Sequence, residues 1–205
     1  MGKVPVGGAA ELIKLRGCRK PVPTNGRVMY LYLAGKIPKG SEIGRISDWR
    51  KEYVAAISAV CDAQFVSPED PTLDESQPEL VFGHDCHLVR SCDVVIVNAA
   101  SKLGVGTAQE MLIAKYYEKR VLTVLPPDTH HRRTDLVMHG HVVPDWIHPF
   151  IFSTSDAIFD SLPALCEAIR SAPAEVLRGD AKTMNIVDAA IEKYLASAHA
   201  TASGG

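Results

Sequence analysis

Short apolar runs separated by amphipathic stretches recur along most of the chain. The run at 94–97 has no polar alternation, which is typical of a strand covered on both faces of a parallel sheet. The other runs are short, rich in β-branched or aromatic residues and bounded by Gly, Pro or Ser. The predicted strands are Val28–Ala34, Gln64–Val66, Val94–Val97, Val121–Leu125 and Phe150–Ser153.

Between these runs, apolar residues return at helical spacing. In the first such stretch Trp49, Tyr53, Ile57 and Val60 share one face, and Ser47 or Asp48 is placed to cap it. The pattern predicts helices over about 49–61, 80–91, 107–118, 156–170 and 183–196, followed by a frayed tail.

This alternation of strand and helix predicts an α/β fold. We expect a single-domain, Rossmann-like or flavodoxin-like, five-stranded, mainly parallel sheet with helices on both faces. We divide the chain into a flexible N-terminal extension (1–26), the α/β domain (27–172), and a C-terminal helix with a disordered tail (173–205). Ligands of such sheets bind at the carboxyl ends of the strands, which directs attention to the loops 35–44, 98–109 and 126–135.

Composition narrows the class of protein. The 205 residues carry a formal net charge of −2, which argues against a protein that coats nucleic acid. The five cysteines show no zinc or disulfide spacing, so reduced thiols in the cytoplasm are expected. No apolar run approaches the roughly 20 residues of a membrane span, so no membrane partner is expected.

A glycine loop before the third predicted helix carries the first candidate chemistry. Gly104 and Gly106 allow a sharp turn and a close approach to a ligand. Thr107 is placed to cap the helix, and Glu110 lies one turn inside, where its carboxylate could serve as a nucleophile. Support of the cap explains Glu110 equally well at this point.

Other polar residues are candidates for the same edge of the sheet. Asp85 lies about two turns before the strand at 94–97, although a solvated helix acid is the plainer interpretation; Asp93 is expected to cap or end that helix. Lys36, Lys39 and Lys102 flank the first and third strands, where they suit a phosphate or a sugar hydroxyl. Solvated loop lysines are the common alternative.

Histidines cluster between 130 and 148. None has the spacing of a zinc motif, so no metal is predicted. We expect a mobile histidine-rich loop near the substrate or near a neighbouring subunit.

Three ordered blocks resemble the nucleoside 2-deoxyribosyltransferase superfamily, which includes the deoxynucleoside 5′-monophosphate N-glycosidases. They are YLAGKI followed by DWR, HDCHLVRSCDVVIVNA, and LGVGTAQE before VLTVLP, spanning about 28–127. The resemblance implies a nucleophilic Glu110 that attacks C1′ of the sugar. It further implies an Asp85 that assists the leaving base and a Tyr32 that orients Glu110.

The resemblance also implies how the substrate is held. Gly35 and Gly106 would leave room for the ribose, and the loop after Gly35 would hold its 5′ end. The substrate is a small nucleoside or nucleotide, no cofactor is required, and a homodimer or larger homo-oligomer is expected. The acceptor, water or a second base, stays open. The remaining binding candidates are Lys36, Lys39, Asn98, Lys102, Gly104 and Thr107.

Three alternatives remain at this point. The string GVGTAQE is also similar to the loop of lysine-decarboxylase-like nucleoside 5′-monophosphate phosphoribohydrolases. A non-catalytic nucleotide-binding or sensing module is compatible with the same fold. An NAD-cleaving enzyme would also use a glutamate in a related sheet.

Overall fold

A computed structural model describes residues 28–38 and 48–202, with side chains as far as 197. Five parallel strands form one sheet in the order β2 (Ala63–Val66), β1 (Met29–Gly35), β3 (Val94–Asn98), β4 (Arg120–Val124), β7 (Ala157–Phe159). Two further strands form a separate antiparallel hairpin. Counted along the sheet, this is the flavodoxin-like 2-1-3-4-5 order, whose switch point lies between β1 and β3. The predicted single-domain α/β fold with a five-stranded parallel sheet is confirmed.

Most predicted elements of the first half of the chain are present with small shifts of their ends. Asp48, one of the two predicted caps, accepts a hydrogen bond from the Arg50 amide at the start of the first helix, α1 (Trp49–Ser58). The strands are β1 (Met29–Gly35), β2 (Ala63–Val66), β3 (Val94–Asn98), β4 (Arg120–Val124), β5 (Arg132–Met138), β6 (His141–Ile147) and β7 (Ala157–Phe159). The helices are α1 (Trp49–Ser58), α2 (Pro78–Ser91), α3 (Val105–Tyr116), α4 (Pro149–Thr154), α5 (Leu162–Ser171), α6 (Pro173–Arg178) and α7 (Asn185–Ala202).

The sheet separates two apolar layers. Side chains alternate across a strand, so Leu31 and Leu33 of β1 pack with α1 and α5, whereas Tyr32 and Ala34 pack with α2 and α3. All four of these β1 side chains are almost completely buried. Tyr32 therefore carries its hydroxyl into the layer formed by α2 and α3.

The predicted histidine-rich loop is wrong: residues 132–147 form the β5–β6 hairpin. Its two-residue turn, His139 and Gly140, has positive φ at both positions, as a type I′ turn requires. The His-Gly pair between two alternating runs was the available sequence signal. Arg132 binds Asp145 within the hairpin, and it holds the hairpin to the sheet through Asp160 and the Leu125 carbonyl.

The predicted strand at 150–153 is also wrong, because this segment lies in α4. Pro149 occupies the first helical turn, where its missing N–H costs nothing. The last strand of the sheet is β7, which lies inside the segment predicted as helix 156–170; α5 begins only at Leu162. Three residues are too few to produce a recognisable periodicity.

Two further expectations need correction. Asp93 does not cap α2, which ends at Ser91 with Cys92 as its C-cap. Instead, Asp93 Oδ2 accepts the Tyr30 amide and so ties the start of β3 to β1. At the C-terminus, α6 was not predicted, and α7 continues to Ala202 beyond its predicted end at 196. In the described residues, no helix combines the length and the apolar character needed to cross a membrane.

Candidate active site

The carboxyl ends of β1 and β3 lie side by side at the switch point, where sheets of this kind hold a ligand in a crevice. Gly35 and Asn98 are paired neighbours at these ends. A Cβ added to Gly35 would lie 2.7 Å from Trp49 Cζ2 and 3.2 Å from the Asn98 carbonyl oxygen. Only glycine therefore allows the Trp49 ring to approach the strand this closely.

Glu110 and Tyr32 meet in this crevice. Thr107, Glu110, Met111 and Ala114 form the buried face of α3 at helical spacing, which directs Glu110 toward the sheet. The Tyr32 hydroxyl donates a 2.8 Å hydrogen bond to Glu110 Oε1. A buried hydroxyl without a partner costs about 1–3 kcal/mol, so this bond satisfies Tyr32 while it orients the carboxylate.

The surroundings of Glu110 change its acidity. The side chain is 8% exposed, and burial raises its pKa to about 7. The hydrogen bond from Tyr32 and the charge of Arg50 lower the pKa, whereas the nearby Asp85 carboxylate raises it. Burial and the adjacent Glu110 raise the pKa of Tyr32 well above its usual value, so Tyr32 remains a neutral donor.

Asp85 reaches the same crevice from α2. It lies three and four residues before Leu88 and Val89, the buried residues of α2, and therefore on the face turned to the sheet. Its charge raises the pKa values of Tyr32 and Glu110, which brings three predicted residues into one electrostatic cluster. Its side chain is 28% exposed, and its Oδ1 lies 3.2 Å from His84 Nδ1.

Arg50 also belongs to this cluster, although it was not among the site residues predicted from the sequence. Its side chain is buried at the start of α1, where Nη2 donates to the Gly35 carbonyl at 3.3 Å and Nη1 to Glu69 at 3.4 Å. The guanidinium lies 4.5 Å from the centre of the Trp49 ring. The available signal was the DWR string, in which Asp48 caps α1 and so sets the position of Arg50.

Replacing Arg50 with methionine is expected to raise the pKa of Glu110 above about 7, because the Arg50 charge favours the carboxylate. A ¹³C NMR titration of the Glu110 carboxyl would measure this. Arg50→Lys keeps the charge and should leave the pKa close to that of the wild type. An unchanged pKa in Arg50→Met would contradict the electrostatic role of Arg50.

The start of α3 differs from the expectation. Gly104, not Thr107, is the N-cap, and among the described residues no side chain caps this end. Thr107 is instead the buried third residue of the helix. Neither Gly104 nor Gly106 has a positive φ, so neither adopts the left-handed conformation that is open to glycine. Within the described chain, nothing lies within 4 Å of a Cβ built on either glycine, which leaves room at this end.

The remaining binding candidates make no described contact with Glu110 or Tyr32. Asn98 Oδ1 accepts the Ala100 amide within the loop after β3. The Lys36 carbonyl accepts from Trp49 Nε1, so the chain after β1 stays beside Trp49. Lys102 is exposed, and Lys39 lies outside the described residues. Residues 28–38 and 48–202 contain no group of three or more potential ligands arranged for a metal ion.

No protein-family model matches the sequence, and no curated protein matches it. Among solved structures, the chain is similar to a conserved protein from Enterococcus faecalis V583, with 12% identity and a TM-score of 0.51 over 71% of this chain and 99% of that one. A 2-deoxyribosyltransferase from Leishmania mexicana has 18% identity and a TM-score of 0.48 over 69% and 97% of the two chains.

A CMP N-glycosidase from Clostridium botulinum has 12% identity and a TM-score of 0.38 over 68% of this chain and 97% of that one. At these identities the similarity to the Enterococcus faecalis protein establishes a shared fold and nothing further.

Proposed function

We propose that this protein cleaves the N-glycosidic bond of a nucleoside or nucleoside 5′-monophosphate, as a member of the nucleoside 2-deoxyribosyltransferase superfamily. The observation that carries the proposal is the buried Glu110 carboxylate, held by Tyr32 at the switch point of the sheet. A second carboxylate, Asp85, acts on the same cluster from the neighbouring helix α2. Enzymes that cleave glycosidic bonds commonly use a pair of carboxylates.

The proposed reaction is a double displacement. A Glu110 oxygen forms a bond to C1′ while the C1′–N bond breaks, and its electron pair leaves with the base. Asp85 supplies or directs the proton that the departing base requires. Water or a second base then attacks C1′ and releases Glu110, so the configuration at C1′ is retained. This chemistry requires no cofactor.

Neighbouring groups suit the proposed nucleophile. A nucleophilic carboxylate must be ionised, and a pKa of about 7 means that ionisation of Glu110 is completed only above neutrality. Tyr32 and Arg50 both favour the ionised form. The open space at Gly104 and Gly106 leaves room for a sugar, and Lys36 and Lys102 are the proposed contacts for its 5′ group.

The test is chromatography of ribo- and deoxynucleosides and their 5′-monophosphates after incubation with the protein, with and without a second free base. Release of base from one substrate establishes glycosidic cleavage, and a new nucleoside formed from the added base identifies a transferase. NAD belongs in the panel, because release of nicotinamide would replace the proposed substrate class. If every substrate stays intact while one of them binds, the sensing module takes the place of the enzyme.

We also propose that the α/β unit over 27–172 carries this activity as a cytoplasmic homodimer or larger homo-oligomer. Aromatic side chains support the oligomer: Tyr116 of α3 is 68% exposed and Phe150 of α4 is 77% exposed. Burial of such side chains in an interface removes apolar surface from water. The four described cysteines, which form no disulfide, fit a reducing compartment. Light scattering coupled to size-exclusion chromatography would measure the mass in solution.

A further inference from the structure

One contact joins the hairpin to the loop that leads into α3. The Leu103 amide donates a 2.8 Å hydrogen bond to His131 Nε2 across 28 positions of sequence. Leu103 immediately precedes Gly104, the N-cap of α3. His131 lies just before β5, and its own carbonyl accepts the amide of His148, the residue that follows β6. The ring therefore bridges the hairpin and the approach to the helix that carries Glu110.

The chemistry of this bond requires a neutral imidazole. A nitrogen that accepts an N–H carries no proton, so the ring proton of His131 resides on Nδ1. The side chain is 8% exposed, and burial lowers its pKa to about 4, with further contributions from the charges of His130, His148 and Lys102. His131 Nε2 is therefore an acceptor throughout the neutral range of pH.

Arg132, the next residue, binds both within the hairpin and to the sheet. Its two 2.8 Å hydrogen bonds to Asp145 join β5 to β6, whereas its bonds to Asp160 and the Leu125 carbonyl reach the ends of β7 and β4. The His131 ring makes edge-to-face contacts with the rings of His130 and His148. Its acceptor nitrogen thus meets a loop whose helix has no side-chain cap among the described residues.

We propose that His131 is a positioning residue: through its bond to the Leu103 amide, it fixes the start of α3 and keeps the Glu110 carboxylate at Tyr32. The catalytic part of this inference rests on the proposed function, whereas the bond itself does not. A hydrogen bond contributes about 1 kcal/mol net, so its loss corresponds to roughly a fivefold change in the local opening equilibrium.

The test compares three variants. His131→Gln places an amide oxygen where Nε2 accepts, His131→Phe keeps an aromatic ring without an acceptor, and His148→Phe alters the same ring stack without touching Leu103. NMR hydrogen exchange of the Leu103 amide, measured without substrate, should speed up roughly fivefold in His131→Phe and stay near wild type in the other two. The kcat for base release should fall in His131→Phe while KM stays the same, and kcat should recover in His131→Gln.

Each outcome separates the two proposals. Unchanged Leu103 exchange in His131→Phe overturns the positioning role whatever the activity. Faster exchange with unchanged base release overturns the link to Glu110. Faster exchange in a protein that never releases base supports the bond and contradicts the proposed function alone. If His131→Phe does not fold, the ¹⁵N shifts of wild-type His131 decide, because a proton on Nε2 would overturn the inference.

Discussion

Replacing Glu110 with glutamine is expected to lower kcat for base release by at least about 10³-fold, or roughly 4 kcal/mol of barrier. The amide has nearly the shape of the carboxylate and can still accept the Tyr32 hydrogen bond, but it is a poor nucleophile. The site should therefore keep its geometry and lose its chemistry. Single-turnover base release, measured with the best substrate of the panel, would quantify the loss.

The same variant should be more stable than the wild type in alkaline solution. Because the pKa of Glu110 is raised from 4.5 in the unfolded chain to about 7, the folded state retains a proton that the unfolded state releases. Stability consequently falls as the pH rises from 4.5 through 7, by roughly 3 kcal/mol in total. Glutamine carries no charge, so the variant does not incur this loss.

Urea unfolding at about pH 4 and pH 8 measures this difference. Glu110→Gln should gain stability relative to the wild type mainly at the higher pH. Exposed Glu118 provides the matched control, because Glu118→Gln should change neither stability nor kcat. Full activity in Glu110→Gln would show that Glu110 takes no part in the chemistry. A loss of stability at pH 8 in this variant would show that burying the Glu110 charge does not destabilise the wild type.

The second large effect concerns the buried ion pair of Lys115 with Asp156, at the opposite edge of the sheet. The Lys115 side chain is 0% exposed and that of Asp156 is 2% exposed. Burial lowers the pKa of Lys115, and its bond to Asp156 opposes this. Asp156 also accepts the backbone amides of Val121 and Lys182, so it joins α3, β4 and the segment before α7.

Lys115→Met is expected to lower the free energy of unfolding by about 3–5 kcal/mol, because it leaves the Asp156 carboxylate buried without its cation. Asp156→Leu should lower the free energy of unfolding by a similar amount, because it leaves Lys115 buried without its carboxylate partner. The double variant Lys115→Met/Asp156→Leu should cost clearly less than the sum of the two single changes. Denaturant unfolding of all four proteins gives the coupling energy.

A surface pair provides the contrast. Arg170 and Glu167 form an exposed ion pair on α5, and Arg170→Met should cost less than about 1 kcal/mol. Variants at Lys115 that fold should keep their kcat, since the pair lies away from the crevice. Additive losses in the double variant would show that the two side chains act independently, contrary to the contact in the structure.

The sequence predicted those elements whose signal is local. An apolar run such as 94–97 is typical of a strand buried on both faces, and the spacing of Trp49, Tyr53 and Ile57 is typical of a helix face. The apolar pattern did not predict the hairpin or α4. Their apolar side chains are largely exposed, as at Val137, Val142 and Phe152, so the apolar pattern at 132–154 did not report burial.

The candidate site divides in the same way. Glu110, Asp85 and Tyr32 were recognisable from sequence blocks, each within its own element. Their meeting was decided by tertiary structure, since Tyr32 and Glu110 are 78 positions apart and touch only because β1 lies beneath α3. The raised pKa of Glu110 likewise depends on burial among α2, α3 and the sheet.

Arg50 and His131 show what the sequence alone did not determine. An arginine in a helix and a histidine before a strand have no intrinsic role in a crevice. Strand order brings the start of α1 to Gly35, and the hairpin brings His131 to Leu103. Local periodicity thus determined which segments form strands and helices in the first half of the chain. Only tertiary packing decided which charges share a site, because burial and proximity belong to the whole fold.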